Sequence, residues 1–218
     1  MPEQEDYQKA IFSGHVSRQG VFKGDLIAPV VLRIVKPYLS GDVLDVGAGS
    51  GALIRTLQSN GFKAKGVDLY STSTDIVQGS ITDLPFANGT FGTAFCCDVI
   101  EHLADNQIDK GLKEVARVLR PKGHFIITTP FDEDLRQNAV TCPECGHSFH
   151  RYGHLQSFTL KSLGDLLAQH GLVTRFMKVY AFGAMAKLPL GRYFSFLFRR
   201  LQFEFVGKSI LVVAQRTG

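Results

Sequence analysis

Short apolar runs alternate with segments of helical periodicity along most of this chain. Strand-like runs lie at 42–49, 64–69, 75–80, 92–100, 124–130, 173–183 and 208–216. Apolar residues recur at helical spacing within 24–39, 51–61, 105–123 and 157–172. Because strands that alternate with helices of this length form parallel sheets with helices on both faces, the pattern predicts an α/β fold with a doubly wound, mostly parallel sheet. Thr159 is the predicted N-cap of the last helix.

Composition narrows the class of protein and of partner. The 218 residues, 44% hydrophobic and 20% charged, predict one soluble domain over 1–218. The net charge of +4 suits an anionic substrate, but without a dense basic stripe it is no strong signal for nucleic acid. The polar start of the chain, its four cysteines and the lack of an apolar run of ~20 residues lead us to expect a cytoplasmic protein without a membrane span.

A glycine-rich turn follows the first predicted strand. Gly47, Gly49 and Gly51 stand between that strand and a helix, where glycines let the backbone approach a ligand and helix N–H groups face an anion. Asp68 lies about 20 residues further on, at the end of the second strand, where a carboxylate can accept both hydroxyls of a ribose. These features suit NAD and S-adenosylmethionine equally.

Asp45 distinguishes these two cofactors by charge. It precedes Gly47 by two positions, so both residues lie near the same end of the strand. A carboxylate is unfavourable beside the pyrophosphate of NAD, whereas it attracts the ammonium and sulfonium groups of S-adenosylmethionine. The charges therefore favour the methyl donor and disfavour an NAD-dependent dehydrogenase.

Four motifs in order carry a resemblance to a known family. They are VLDVGAGSG, GVDL, GSITDLPFANGTFGTAFCCDVIEHL and LKEVARVLRPKGHFIITTP. The sequence resembles the class I S-adenosylmethionine-dependent methyltransferases, closely over about residues 40 to 130 and more loosely beyond. The resemblance implies a seven-stranded Rossmann-like sheet whose last strand is antiparallel and inserted between the fifth and sixth.

The resemblance also implies a cofactor site. The first motif would line the methionine end of S-adenosylmethionine with Asp45, Gly47, Ala48, Gly49 and Gly51. Asp68 and Leu69 would flank the ribose.

The adenine and the sulfonium would lie further along the sheet edge. The adenine is expected near Ser80 and Ile81. Many relatives have an aspartate at the position of Ser80, so either Ser80 or Asp83 would contact the adenine amino group. Cys97 and Asp98 would lie beside the sulfonium.

The stretch DVIEHL is the candidate catalytic motif. It places Asp98, Glu101 and His102 at i, i+3 and i+4, so one helical turn would point all three to one side. It resembles the ubiquinone O-methyltransferases and the small-RNA 2′-O-methyltransferases, which use such residues for a divalent cation, and His154 stands where the RNA enzymes add a histidine. A cation would lower the pKa of a substrate hydroxyl. The alternative is that His102 acts as a base or lines the pocket.

Residues 131–158 form a Cys/His-rich insert after the fifth predicted strand. Cys142 and Cys145 form a Cys-Pro-x-Cys-Gly turn, which is typical of two thiolates on one zinc ion. His150 and His154 are the candidate third and fourth ligands. The alternatives are a reduced, metal-free loop over the active site and a His154 that belongs to the active site itself.

Two segments match no core element and are expected to cover the substrate. These are 1–23 and the aromatic, basic segment 184–206. The latter suits a lipid-like substrate or a peripheral membrane contact, and a self-packed lid helix or a dimer contact is the alternative. The oligomeric state stays open.

These observations lead us to expect methyl transfer from S-adenosylmethionine to a small molecule, at oxygen. An RNA 2′-O-methyltransferase and a cofactor-binding protein without turnover are the alternatives.

Overall fold

The computed structural model describes residues 12, 23–70, 73–182, 185 and 208–218. Within these ranges the α-helices, numbered α1 to α4, span Lys23–Val35, Ala52–Ser59, Asp105–Val118 and Leu160–Gln169. The strands, β1 to β9, span Val43–Val46, Ala64–Asp68, Ile76–Gln78, Phe91–Cys97, Leu119–Pro130, Ala139–Thr141, Ser148–His150, Leu172–Tyr180 and Ser209–Arg216. Short 3₁₀ helices lie at Lys36–Tyr38, Ile100–His102 and Leu135–Asn138.

Seven strands form one sheet in the order β3-β2-β1-β4-β5-β9-β8. In the run β3-β2-β1-β4-β5, each strand is parallel to the next. Strand β9 is antiparallel to both β5 and β8. The predicted doubly wound sheet, with its last strand antiparallel and inserted before the edge strand, is therefore confirmed. The strand order reverses between β1 and β4, and ligands bind at the carboxyl ends of strands at such a switch point.

Both faces of the sheet are covered by helices, which explains why its central strands show no alternation of polar and apolar residues. Every residue of β1 is buried, and β4 is buried up to its last residue. One face packs against α3 and α4, through residues that include Leu112 and Leu163. The other face packs against α1 and α2, through Val35 and Leu57 among others. Strands between two helical layers have no polar side to show, so they lack alternation.

The end of the third helix differs most clearly from its predicted boundary. The segment 105–123 was expected to be helical to its end, but α3 ends at Val118 and Leu119 is already extended, with ψ of 143°. Proline disfavours helical geometry at the residue before it, here Arg120, and has no N–H to donate to the carbonyl four residues earlier, so a helix ends before Pro121. The predicted N-cap is confirmed, because the Thr159 hydroxyl accepts a hydrogen bond from Ser162 N at 3.1 Å.

The insert at 131–158 forms a small separate sheet. After the 3₁₀ helix, β6 and β7 pair as an antiparallel hairpin from Ala139↔His150 to Thr141↔Ser148. The predicted lids at 1–23 and 184–206 lie outside the described residues apart from residues 12, 23 and 185, and so does the predicted membrane contact. Within the described ranges, no helix is long and apolar enough to cross a membrane.

Candidate active site

The turn after β1 requires glycine. Gly47, Gly49 and Gly51 have φ of 75°, 50° and 75°, in the left-handed region that residues with a side chain rarely adopt. A Cβ at Gly47 would lie 2.4 Å from Cγ2 of Val99, whereas a Cβ at Gly49 would meet no described atom within 4 Å. The turn is thus tightly packed on one side and open above Gly49, as a backbone cradle for a ligand requires.

Asp68 lies at this turn, as the sequence predicts. Its Oδ2 accepts a hydrogen bond from Gly49 N at 2.9 Å, and its Oδ1 accepts one from Tyr70 N at 2.8 Å. Leu69 follows with half of its surface exposed. The end of β2 and the glycine turn therefore form one surface.

Asp45 is a buried acid beneath the same turn. Only 4% of its surface is exposed, and it pairs with Gly66 on one side and Phe95 on the other. Burial first, and then repulsion from Asp68, raise the pKa of Asp45 to about 7. A cation bound beside it would be strongly favoured, because the buried negative charge is poorly solvated.

The predicted adenine contacts lie in the turn after β3. Gly79 N donates to Asp68 O at 3.0 Å, which places the start of this turn at the end of β2. Ser80 and Asp83 close the turn through a 3.1 Å hydrogen bond from Asp83 N to Ser80 O. Ile81 packs against α3 close to Gly111. The structure therefore places the start of this turn beside the end of β2, and the contact of these residues with adenine stays a prediction.

The chain leaves β4 through a strained residue. Asp98 has φ of 53°, which is uncommon for a residue with a side chain and is often found at functional sites. Its N–H donates to Thr128 O at 2.8 Å, and its Oδ1 accepts from the Thr128 hydroxyl at 3.1 Å. Cys97, at the end of β4, lies near Asp45: burial first, and then Asp45 and other charges, raise the pKa of its thiol.

Glu101 and His102 follow in the 3₁₀ helix after β4. Glu101 is 1% exposed. Its Oε2 accepts from the Thr129 hydroxyl at 3.1 Å, while its buried Oε1 has no hydrogen-bond partner among the described residues. Burial, and then Asp98, raise the pKa of Glu101 well above its ordinary value.

The hydrogen bond of His102 determines which of its ring nitrogens carries the proton. Its Nδ1 lies 3.1 Å from the carbonyl oxygen of Gly153. A carbonyl only accepts, so Nδ1 carries the proton and Nε2 has the lone pair. Burial lowers the pKa of His102 to about 4, so the ring is neutral at pH 7.

The insert brings His154 to the same place. Leu155 N and Gln156 N both donate to the Glu101 carbonyl oxygen, at 2.7 and 3.0 Å. Ligand atoms of Glu101, His102 and His154 lie within 4.8 Å of one another, so the predicted approach of this downstream histidine is observed. Asp98 is not part of that group.

Three contacts of this cluster were not predicted. Oε2 of Glu133 lies 2.5 Å from Nδ1 of His154. The carbonyl oxygen of Gly153 accepts a hydrogen bond from His102, and the ring of Phe12 lies edge-on to that of His102 with centroids 4.9 Å apart. Glu133 comes three residues after β5, at the sheet edge where ligands bind, and that position was the signal available in the sequence.

The predicted zinc ligands fall into two separate groups. Cys142 and Cys145 lie at the hairpin tip, where Gly146 N donates to Cys142 O at 2.9 Å. His150 pairs with Ala139, three residues from Cys142, which corresponds to about 10 Å along a strand. Within the described residues, no group of three candidate ligand atoms includes either cysteine. The structure therefore does not assemble these four ligands, and the zinc site stays a prediction.

The fold and the site define a class of protein. The seven-stranded sheet, parallel from β3 to β5 along the order β3-β2-β1-β4-β5-β9-β8 and antiparallel at β9, is that of a class I S-adenosylmethionine-dependent methyltransferase. A family model described as a methyltransferase domain matches residues 22–175. The chain belongs to this methyltransferase domain family.

Relatives and neighbours of known activity are distant. A sterol 4-C-methyltransferase of Caenorhabditis elegans is 26% identical over 119 residues, covering 45% of this chain and 35% of that protein. A ubiquinone biosynthesis O-methyltransferase of Mesorhizobium japonicum is 26% identical over 111 residues, covering 44% of each chain. The matched region thus spans less than half the length of these curated relatives.

A solved structure resembles the whole chain. This is the 1,6-didemethyltoxoflavin-N1-methyltransferase of Burkholderia thailandensis, bound to 1,6-didemethyltoxoflavin and S-adenosylhomocysteine. The TM-score is 0.72 at 16% identity, with 100% of this chain and 92% of that chain covered. At this identity the likeness concerns the fold.

Proposed function

We propose that this chain transfers the methyl group of S-adenosylmethionine to an oxygen atom of a small molecule. The observation that carries the proposal is the cluster of Glu101, His102 and His154, which can take a proton beside the cofactor turn. Val99 connects the two parts of the site, because its side chain fills the space beside Gly47. The three relatives and neighbours named above modify carbon, oxygen and nitrogen, so the acceptor atom is argued from this cluster.

The cofactor would be held by the residues that the sequence predicts. Asp45 offers a buried carboxylate to the ammonium group, the open surface above Gly49 admits the ligand backbone, and Asp68 faces the ribose. When bound, S-adenosylmethionine supplies an electrophilic methyl group on a sulfonium. The described chain contributes orientation and a place for the proton that the acceptor loses.

An oxygen acceptor needs such a proton acceptor. The hydroxyl oxygen forms a bond to the methyl carbon, the carbon–sulfur bond breaks with its electron pair on sulfur, and the hydroxyl proton passes to a base. His102, with a pKa of about 4, is a weak base, because catalytic bases work best near the operating pH. We therefore assign proton acceptance to Nε2 of His154 and orientation of the acceptor to His102.

The same donor set fits a divalent cation, which the resemblance implies. Glu101, His102 and His154 offer one oxygen and two nitrogens, and the buried Oε1 of Glu101 has no hydrogen-bond partner among the described residues. Two imidazoles favour a transition metal over Mg²⁺. A bound cation would supply positive charge that lowers the pKa of the acceptor hydroxyl. In that case the lone pair of His154 Nε2 would hold the cation.

An aromatic or apolar acceptor is supported by Phe12. Its ring packs edge-on against His102, so an aromatic side chain lies directly beside the cluster. The low net charge of +4 disfavours the RNA alternative, because RNA binding requires neutralisation of several phosphates.

A labelled-donor assay tests this function. Pools of phenols, catechols, polyols and RNA are incubated with the protein and methyl-labelled S-adenosylmethionine, and we expect label on oxygen in the phenol or catechol pool. His154→Ala should lower kcat by roughly 10²- to 10⁴-fold, with S-adenosylhomocysteine affinity unchanged in calorimetry. Asp165→Ala, on the exposed surface of α4, is the control and should keep full activity.

The other outcomes are equally informative. Label in the RNA pool would establish the RNA alternative, and S-adenosylhomocysteine binding without transfer to any pool would indicate a protein without turnover. Loss of activity on chelation, restored by Mn²⁺ or Zn²⁺, would assign the cluster to a cation.

A further inference from the structure

Glu133 lies between the two histidines of the insert. Its side chain is 17% exposed. Its Oε2 lies 2.5 Å from Nδ1 of His154, and its Oε1 lies 3.5 Å from Nε2 of His150. The rings of His150 and His154 stack with centroids 4.6 Å apart. The carboxylate thus faces both imidazoles from one side.

These three residues are close enough to hold a metal ion, but the protonation of His150 argues against it. Their ligand atoms lie within 4.8 Å of one another. However, Nδ1 of His150 accepts a hydrogen bond from His154 N at 3.1 Å, so in the neutral ring the proton is on Nε2. A nitrogen that carries a proton cannot bind a metal. Burial lowers the pKa of His150, which keeps the ring neutral at pH 7.

The contact with Glu133 determines the opposite arrangement in His154. A carboxylate accepts, so Nδ1 of His154 donates and its Nε2 keeps the lone pair. The centroid of the His154 ring lies 4.9 Å from that of His102, whose own Nε2 is unprotonated for the same kind of reason. Both histidines therefore have an unprotonated Nε2, and ligand atoms of the two residues lie within 4.8 Å of each other and of a carboxylate oxygen of Glu101.

We propose that Glu133 is a positioning residue that fixes the orientation of His154 and the proton on its Nδ1, so that Nε2 is free to act in the acceptor pocket. This inference rests on the proposed function. It holds whether His154 takes the proton or binds a cation, because both roles need the Nε2 lone pair. Carboxylates that orient a catalytic or ligating histidine act in this way.

A purely structural role for Glu133 must be separated from this one. Its Oε1 also accepts a hydrogen bond from Nδ2 of Asn138 at 3.1 Å, which ties the 3₁₀ helix of the insert to the site. Asn138→Ala removes that tie and leaves the contact with His154. Glu133→Gln keeps the shape of the side chain, but its amide nitrogen can donate to Nδ1 of His154. The proton of the neutral ring would then lie on Nε2. Glu133→Asp keeps the carboxylate.

The experiment compares these variants by NMR and by methyl transfer to the phenol pool. In ¹⁵N-labelled protein saturated with S-adenosylhomocysteine, wild type should show His154 protonated on Nδ1, and Glu133→Gln should show Nε2 protonated. Glu133→Gln should lower kcat by roughly 10²- to 10⁴-fold. Glu133→Asp should recover part of that loss, and Asn138→Ala should remain within about threefold of wild type.

The two proposals fail in different ways. The absence of methyl transfer from wild type to any pool would overturn the proposed function. Full activity in His154→Ala would leave that function standing and would overturn the role of His154, and with it that of Glu133. An inactive His154→Ala together with a fully active Glu133→Gln, or an unchanged His154 tautomer in that variant, would overturn the role of Glu133 alone. Equal losses in Glu133→Gln and Asn138→Ala with no change in the tautomer would show that Glu133 only holds the insert.

Discussion

The ionisation of Asp45 should govern both cofactor affinity and the stability of the ligand-free protein. The perturbation is Asp45→Asn, which removes the charge and keeps the size of the side chain. Burial and the nearby Asp68 raise the pKa of Asp45 from 3.8 to about 7. The exposed Asp42→Asn, next to the other end of β1, is the matched control.

The effect on stability follows from this difference in pKa. The stability that the protonated Asp45 contributes is fully present below pH 3.8. It is lost as the pH rises to the raised pKa of about 7 in the folded state. The difference of 7 − 3.8 = 3.2 units corresponds to about 4 kcal/mol above pH 7. Asp45→Asn should therefore raise the free energy of unfolding by up to about 4 kcal/mol at pH 8, and by less than half of that at pH 5.

The effect on binding has the opposite sign. The ammonium group of the ligand favours the ionised carboxylate, so below pH 7 binding must displace a proton from Asp45. Affinity for S-adenosylhomocysteine should rise about tenfold per pH unit up to roughly pH 7 and then level off. In Asp45→Asn this dependence should disappear, and affinity at pH 8 should fall by about 1.5–3 kcal/mol, or 10- to 150-fold.

Two measurements check this reasoning. Calorimetry with S-adenosylhomocysteine from pH 5.5 to 8.5, in buffers with different ionisation enthalpies, gives the affinity and counts the protons released. Urea unfolding at pH 5 and pH 8 gives the stability difference, and Asp42→Asn should match wild type in both assays. An affinity of wild type that does not change with pH, or an unstable Asp45→Asn variant with wild-type affinity, would refute the role of Asp45.

Two further predictions concern the turn after β1 and the hairpin tip. Gly47→Ala combines the strain of φ 75° with a Cβ 2.4 Å from Cγ2 of Val99 and should lower the free energy of unfolding by about 2–5 kcal/mol in urea titrations. Gly61→Ala, with φ of 85° and no described atom within 4 Å of its Cβ, should lose only about 1–2 kcal/mol, so equal losses would show that Val99 does not matter. A zinc site at the hairpin requires about one zinc atom per chain in protein purified without a metal-affinity tag, and its loss in Cys142→Ser/Cys145→Ser. Metal-free wild type with full activity would exclude that site.

The sequence by itself determined the sheet and the cofactor turn. Strands buried on both faces lack polar–apolar alternation, and the helices between them have a regular period, so the succession of β1 to β5 along the chain could be predicted without tertiary information. The turn after β1 needs left-handed backbone, which glycine adopts without strain. Asp45 lies close to this turn because it precedes Gly47 by only two residues. Such features depend on short stretches of sequence, so they can be predicted from the sequence pattern alone.

Only the tertiary structure decided where the Cys/His insert places its candidate ligands. The spacing of Cys142, Cys145, His150 and His154 permits one four-ligand zinc site. The hairpin instead keeps the thiols at its tip and returns His150 and His154 to its base, where Glu133 meets them. Contacts between residues distant in sequence are set by strand register and by the anchoring of Leu155 to Glu101. The spacing of ligands in the sequence predicts neither the strand register nor this anchoring. It gives the number of residues between two ligands but not the path of the backbone between them.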